Sequence, residues 1–298
     1  MGRVAGLAVT DDRGDPLVLS LGLGVDSVAV LVGWHKLGIR PDGIVFSDPG
    51  SEHPETYAIR PVIDAWLTSV GFPAITEVRY QVKRPRNGHY DTIEQNCLVN
   101  KTLPSLAFGR KACSMKWKGE VIDRHVRSLF SDHIRDGGKV TRAIGYDAGP
   151  CDSRRGGVEK SGPWTWVYPL REWGWDRARC ELEIAAAGIP VPHKSACFFC
   201  PSTKPAELLQ LAREHPDLAR RAVAMEDVAR PGLREIKGLW GRGTKGTRGG
   251  EARPGSWREF LSAHAPEVLP DLPSRLEVAA QPRPECVSPE HANGGSER

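Results

Sequence analysis

The segment LVLSLGLGVDSVAVLV, residues 17–32, constrains the fold more than any other stretch. It opens with five residues that read as a buried strand. Gly22 and Gly24 follow, and a second apolar run then continues at helical length from Asp26 to Leu37. A strand that turns through glycines straight into a helix is the first half of a βαβ unit. Such units build mostly parallel sheets joined by right-handed crossovers.

The rest of the chain repeats this rhythm. GIVFSD (43–48) is a second buried strand, and ITEVRY (75–80) and KVTRAIGYD (139–147) are further strand candidates. Residues 54–71 have helical spacing with Gly71 as a stop, and Pro61 inside them predicts a kink or a late start. Residues 118–133 are amphipathic with a 3.6 period. The expected fold is therefore α/β: an open, mostly parallel sheet with helices on both faces.

After Asp147 the texture changes. A polar, glycine-rich loop leads to tryptophans at 164, 166, 173 and 175, a helix is expected over 176–188, and two more helices are split near Pro216. A basic, glycine-rich loop spans 241–255, and the sequence beyond is rich in proline and polar residues. The expected organisation is an α/β domain over 1–163 and a Trp-rich, C-x-x-C-bearing helical subdomain over 164–265. A disordered tail is expected over 266–298.

Composition restricts the functional classes. The 298-residue chain is 40% hydrophobic and 26% charged, with a net charge of +4, which permits an anionic small-molecule partner without requiring nucleic acid. No apolar run approaches the roughly 20 residues of a membrane span. The first fifteen residues make a poor signal peptide, so a cytoplasmic location is expected. The seven cysteines then read as free thiols or metal ligands, not as a disulfide framework.

A strand, a glycine turn and a helix start together form an anion site. Glycines let backbone N–H groups approach a phosphate, and the helix N-terminus adds the positive end of its dipole. Ser20 and Ser27 can donate hydroxyl hydrogen bonds, and Asp26 sits where a carboxylate is favoured. The loop lacks the Gly-Lys-Ser/Thr ending of a Walker motif and the third glycine of a dinucleotide fingerprint. A tight turn that needs glycine for geometry alone is the bland alternative.

SLGLGVDS (20–27) resembles the PP-loop of the ATP pyrophosphatase superfamily, Ser-x-Ser-Gly-Gly-x-Asp-Ser, matching at Ser20, Gly24, Asp26 and Ser27. Gly22 and Leu23 stand where the inner Ser and first Gly usually are. VFSDPGSEHPETY (45–57) and AIGYDAGPCDSRR (143–155) are similar to two further segments of the phosphoadenosine phosphosulfate reductase family. The resemblance implies an adenine nucleotide alpha hydrolase-like fold. It implies nucleotide binding by Ser20, Gly22, Gly24, Asp26, Ser27 and Asp48, with Gly145, Asp147 and Arg154 from the 143–155 segment; Lys116, near the site in sequence, is a further candidate for the phosphates or an ordinary surface lysine. Asp26, Asp48 and Cys151 are the candidate catalytic residues. His53 and Glu55 read as polar groups at a helix start.

Cys197 and Cys200, in SACFFCPS, are spaced so that two thiolates can meet one metal or cluster, or form a redox dithiol. Cys113 lies among Arg110, Lys111, Lys116 and Lys118, a setting that favours thiolate, and Cys180 precedes the C-x-x-C on a predicted helix. Together the four would make a four-cysteine site. Cys97 reads as a packing residue within a helix. The resemblance to adenylyl-sulfate reductases implies a [4Fe–4S] cluster there; Ser114 stands where that family has a second Cys, so Cys180 is inferred to replace the missing ligand, and a structural Zn²⁺ also suits thiolates.

The expected function is a PP-loop enzyme that uses ATP and Mg²⁺ to adenylate an acceptor, releases pyrophosphate and supports sulfur transfer with a sulfur donor or redox partner protein. The alternatives are a sulfonucleotide reductase and a zinc-stapled nucleic-acid-binding module that uses the 241–255 loop. The reductase needs a C-terminal catalytic Cys, for which only Cys286 is available.

Overall fold

The structure, a computed structural model, describes residues 14–82, 87–110, 112–150, 162–244 and 252–269. Strand β1 (Leu17–Leu21) leads through the glycine turn into helix α1 (Val25–Leu37), and β2 (Gly43–Asp48) lies parallel beside β1. The 54–71 segment divides at Pro61, as its sequence predicts: α2 (Pro54–Ala58) ends and α3 (Arg60–Ser69) begins with proline in its first turn. Strand β3 (Ile75–Arg79) then pairs with β2. Helix α4 (Ile93–Val99) precedes a π-helical stretch (Met115–Gly119), which runs into α5 (Glu120–Leu129).

The chain next crosses to the other side of β1, where β4 (Val140–Ile144) pairs with β1 and β5 (Trp164–Val167) with β4. The five strands are all parallel, in the order β3-β2-β1-β4-β5. Alternate side chains of β1 enter different cores. Leu17, Leu19 and Leu21 face α1, α3 and the helix α6 (Arg177–Ala186), whereas Val18 faces Ile122 and Val126 of α5. Both faces are thus covered, as a parallel sheet requires.

The α/β unit extends past the boundary expected at 163. β5 is the fifth strand of the sheet, and α6 buries Cys180 and Ile184 against the same core as α1. The tryptophan cluster read as a change of domain is instead the sheet's far edge and the cover of α1. Trp173 lies so close to Gly33 that a Cβ there would sit 2.1 Å from its ring.

A second apolar core gathers α4, α7 (Pro205–Glu214), α8 (Pro216–Ala229) and α9 (Trp257–His264). The split near Pro216 is as expected. Its chain end stays ordered slightly beyond the boundary at 266, because Val268 is buried in this core; residues 270–298, most of the expected tail, lie outside the described residues. Glu226 of α8, 2% exposed, ties this core together. Its carboxylate accepts from the backbone N–H groups of Leu239 (2.6 Å), Trp257 (2.8 Å) and Arg258 (3.0 Å), and from Ser256 Oγ (2.6 Å).

Glu226→Ala strands three backbone donors, those of Trp257 and Arg258 at the start of α9 and that of Leu239. The expected cost is roughly 3 kcal/mol or more, read as a lower urea midpoint with early hydrogen exchange in 256–264. An unchanged midpoint would show that water replaces the carboxylate.

Candidate functional site

The direction of sheet growth reverses between β1 and β4. In open α/β sheets this is where ligands bind. The glycine turn after β1 lines one side and Gly145, after β4, the other. A Cβ on Gly145 would lie 2.7 Å from the backbone of Asp26 and Ser27, so glycine is what lets β4 close on the first turn of α1.

The glycine turn is closed on itself. Ser27 Oγ accepts from Gly22 N–H (3.0 Å) and donates to Gly24 C=O (3.1 Å). Leu23 takes the left-handed conformation, φ +58°, with its side chain fully buried. Such a backbone costs a non-glycine residue roughly 1–2 kcal/mol, and burying a leucine offsets a cost of this size. This explains how leucine is tolerated in a backbone conformation that favours glycine. Ser20 points elsewhere: its hydroxyl accepts from Arg142 Nη2 (2.9 Å), a guanidinium 1% exposed that also donates to Asp123 (3.0 Å) and lies over Trp164 and Trp166.

Of the expected acidic residues, Asp26 accepts from Arg177 Nη1 (3.0 Å) at the start of α1. Asp48 is fully engaged. Its Oδ1 accepts from Gly50 N–H (2.7 Å) and Tyr57 OH (2.8 Å), and its Oδ2 pairs with Arg79 (2.7 Å). In this state Asp48 shapes the 48–57 loop. Asp147 closes a local turn by accepting from Gly149 N–H (2.8 Å). Lys116 lies over the Tyr80 ring (4.9 Å). Cys151 and Arg154 lie outside the described residues.

The element that organises this edge is an antiparallel contact between residues 51–53 and 196–198. His53 N–H donates to Ala196 C=O (3.0 Å), Phe198 N–H donates to Ser51 C=O (3.0 Å), and Glu52 bridges Cys197. Glu52 is buried; one carboxylate oxygen pairs with Lys118 Nζ (2.5 Å) and the other accepts from Ser195 Oγ (3.2 Å). Ser195 in turn packs on the glycine turn, its Cβ 3.2 Å from where a Gly24 Cβ would stand. Burial works against charge on Lys118, but Glu52 and Cys197 more than offset it and raise its pKa. Glu52 lies inside the 45–57 segment and Ser195 opens SACFFCPS, but nothing in the sequence marks either as a site residue beyond its adjacency to His53 and to the C-x-x-C.

The structure does not unite the four expected cysteines. Cys180 sits under α1, where burial, then Asp26 and Asp147, push its thiol up to about 12. Cys113 and Cys197 pack instead against the helical core that contains Cys97. Burial and then the Cys113 thiol push Cys97 up to about 12. Burial and Glu52 raise Cys197 well above an ordinary thiol, with Cys200 and Cys113 contributing and Lys118 opposing. Cys97 feels the charge of Cys113, and Cys197 that of Cys200 and Cys113, but among the described residues no three cysteines have their sulfurs all within 4.8 Å of one another. Cys180 was expected because it is close in sequence, but its helix buries that face against α1.

Comparison with protein-family models and with curated proteins finds no match to this chain.

Gly145→Ala forces β4 away from the first turn of α1 and is expected to cost about 1–3 kcal/mol, lowering the thermal midpoint. Gly43→Ala, whose Cβ would meet only Val18 at an ordinary 3.6 Å, serves as the control and should lose far less. Equal losses in the two variants would remove the close approach at Gly145 as the cause.

Proposed function

We propose that the chain is a PP-loop enzyme that uses ATP and Mg²⁺ to adenylate an acceptor oxygen, with release of pyrophosphate, in support of sulfur transfer. One observation carries the reading: a continuous line of contacts, Gly24 to Ser195 to Glu52 to Lys118, joins the glycine turn to the Cys197–Cys200 knuckle. On this reading a phosphate site and a thiol site share one edge of the sheet.

The acceptor oxygen attacks the α-phosphorus of ATP, and the bond to the bridging oxygen of pyrophosphate breaks. A sulfur nucleophile from a donor protein then displaces AMP from the adenylated acceptor. The chain's own part is positioning and charge neutralisation. Ser27 rotates off Gly22, freeing that N–H for a phosphate oxygen beside the N-terminus of α1. Arg177 holds Asp26 at the same helix start, and Asp26 and Asp147 are the carboxylates at hand for Mg²⁺. Asp48 acts through the loop that it holds and not on the substrate.

The candidate ligands of a thiolate-held group are Cys97, Cys113, Cys197 and Cys200: the first three belong to or pack against one core, and Cys200 ends a C-x-x-C turn in which its N–H donates to Cys197 C=O (2.9 Å). Soft thiolates suit a [4Fe–4S] cluster or Zn²⁺. A cluster would supply a redox-active or sulfur-ligating iron centre, whereas zinc would brace the fold.

The test is pyrophosphate release from ATP over a panel of acceptors, anaerobically, with a sulfur source. Acceptor-dependent release is expected, reduced about tenfold or more by Ser27→Ala. Consumption of adenylyl sulfate alone, with sulfite appearing, would establish the sulfonucleotide reductase instead. In parallel, iron and acid-labile sulfide are expected in the anaerobic preparation, lost in Cys97→Ala and retained in Cys180→Ala. A colourless protein with one Zn²⁺ would leave a structural centre only.

A further inference from the structure

Beside the Ser195–Glu52 contact, the same two chain segments carry a second group of ligand-type side chains. His53 follows Glu52, and His193 stands two residues before Ser195. The His53 N–H to Ala196 C=O bond (3.0 Å) sets the two segments in fixed register. Glu55 joins them from the first turn of α2. The ligand atoms of His53, Glu55 and His193 all lie within 4.8 Å of one another. The His53 and His193 rings are 5.4 Å apart, and His53 Nδ1 is 3.9 Å from Glu55 Oε2.

The two Glu55 oxygens are differently placed. Oε1 is held by His215 Nε2 at 2.5 Å. Oε2 is shielded from solvent and has no hydrogen-bond partner. A carboxylate oxygen in such a position costs free energy unless something binds it. The cluster opens onto a cavity of about 300 Å³ whose walls include Thr203, Gln210 and Glu214. None of these groups belongs to the phosphate turn or to the cysteine set.

We infer that His53, His193 and Glu55 Oε2 form a divalent transition-metal site, with His215 orienting the carboxylate from behind. Two imidazoles and one carboxylate select a borderline ion of the Zn²⁺ or Co²⁺ class over Mg²⁺, which prefers oxygen ligands. Three protein ligands leave coordination positions free on the cavity side, the mark of an ion that also takes water or an oxygen ligand. His193 is exposed, so the ion has a path from solvent. His215 is the outer hydrogen-bonding partner that such sites use to fix a ligand. The site needs neither the nucleotide nor the thiol reading to be correct.

Co²⁺ titration of the full-length protein separates this site from the cysteines, because only thiolate ligation gives an intense sulfur-to-cobalt charge-transfer band. Wild type is expected to bind one Co²⁺ without that band, in addition to any thiolate-bound metal. His193→Ala changes an exposed residue and should fold normally; it is expected to abolish this one equivalent and leave the charge-transfer band intact. Glu55→Gln should do the same, and His215→Ala should weaken binding roughly 10–100-fold. Retention of the full non-thiolate Co²⁺ equivalent in both His193→Ala and Glu55→Gln would overturn the inference. So would a wild type that binds Co²⁺ only through thiolates.

Discussion

The buried carboxylate of Glu52 is the interaction on which the architecture of this edge depends. A charge removed from water is tolerated only when paired and hydrogen-bonded, and Glu52 meets that demand with Lys118 on one oxygen and Ser195 on the other. Those two partners come from distant parts of the chain. Satisfying one carboxylate therefore clamps the β2 loop, the π-helical stretch and the cysteine knuckle together. The glycine turn, the thiols and the His53 cluster take their positions from this clamp.

The turn after β1 shows how burial can hold a non-glycine residue in a left-handed backbone. Glycine is favoured in that conformation, because a Cβ is disfavoured there. Leu23 adopts that conformation nonetheless, since its side chain is wholly buried in the core between sheet and helices. Burial here offsets backbone strain, and the turn keeps a tight shape with the Gly22 N–H held by Ser27.

Much of the fold was legible in local pattern. The fully buried β2 strand, the division of 54–71 at Pro61 and the two helices meeting at Pro216 follow from period, proline and glycine alone. Strand β5 was not legible, because Trp164–Val167 is short and aromatic and its identity as a strand comes from pairing with β4. Asp48 and Ser20 were rightly placed at strand ends. Their hydrogen-bond partners, Tyr57, Arg79 and Arg142, are set by neighbouring strands and helices and carry no signal in the motif.

The cysteines divide the two kinds of information most sharply. Sequence by itself determined the alternation of strands and helices, the glycine turn at a helix start and the close pairing of Cys197 with Cys200, because each depends on neighbours within a few residues. Tertiary structure alone decided which core each of the other thiols enters. Cys180, seventeen positions away, faces α1 across a different core, whereas Cys97, about a hundred positions away, shares a core with Cys113 and Cys197. Proximity in space follows from which face each helix buries, and that is settled by packing the whole chain, not by spacing along it.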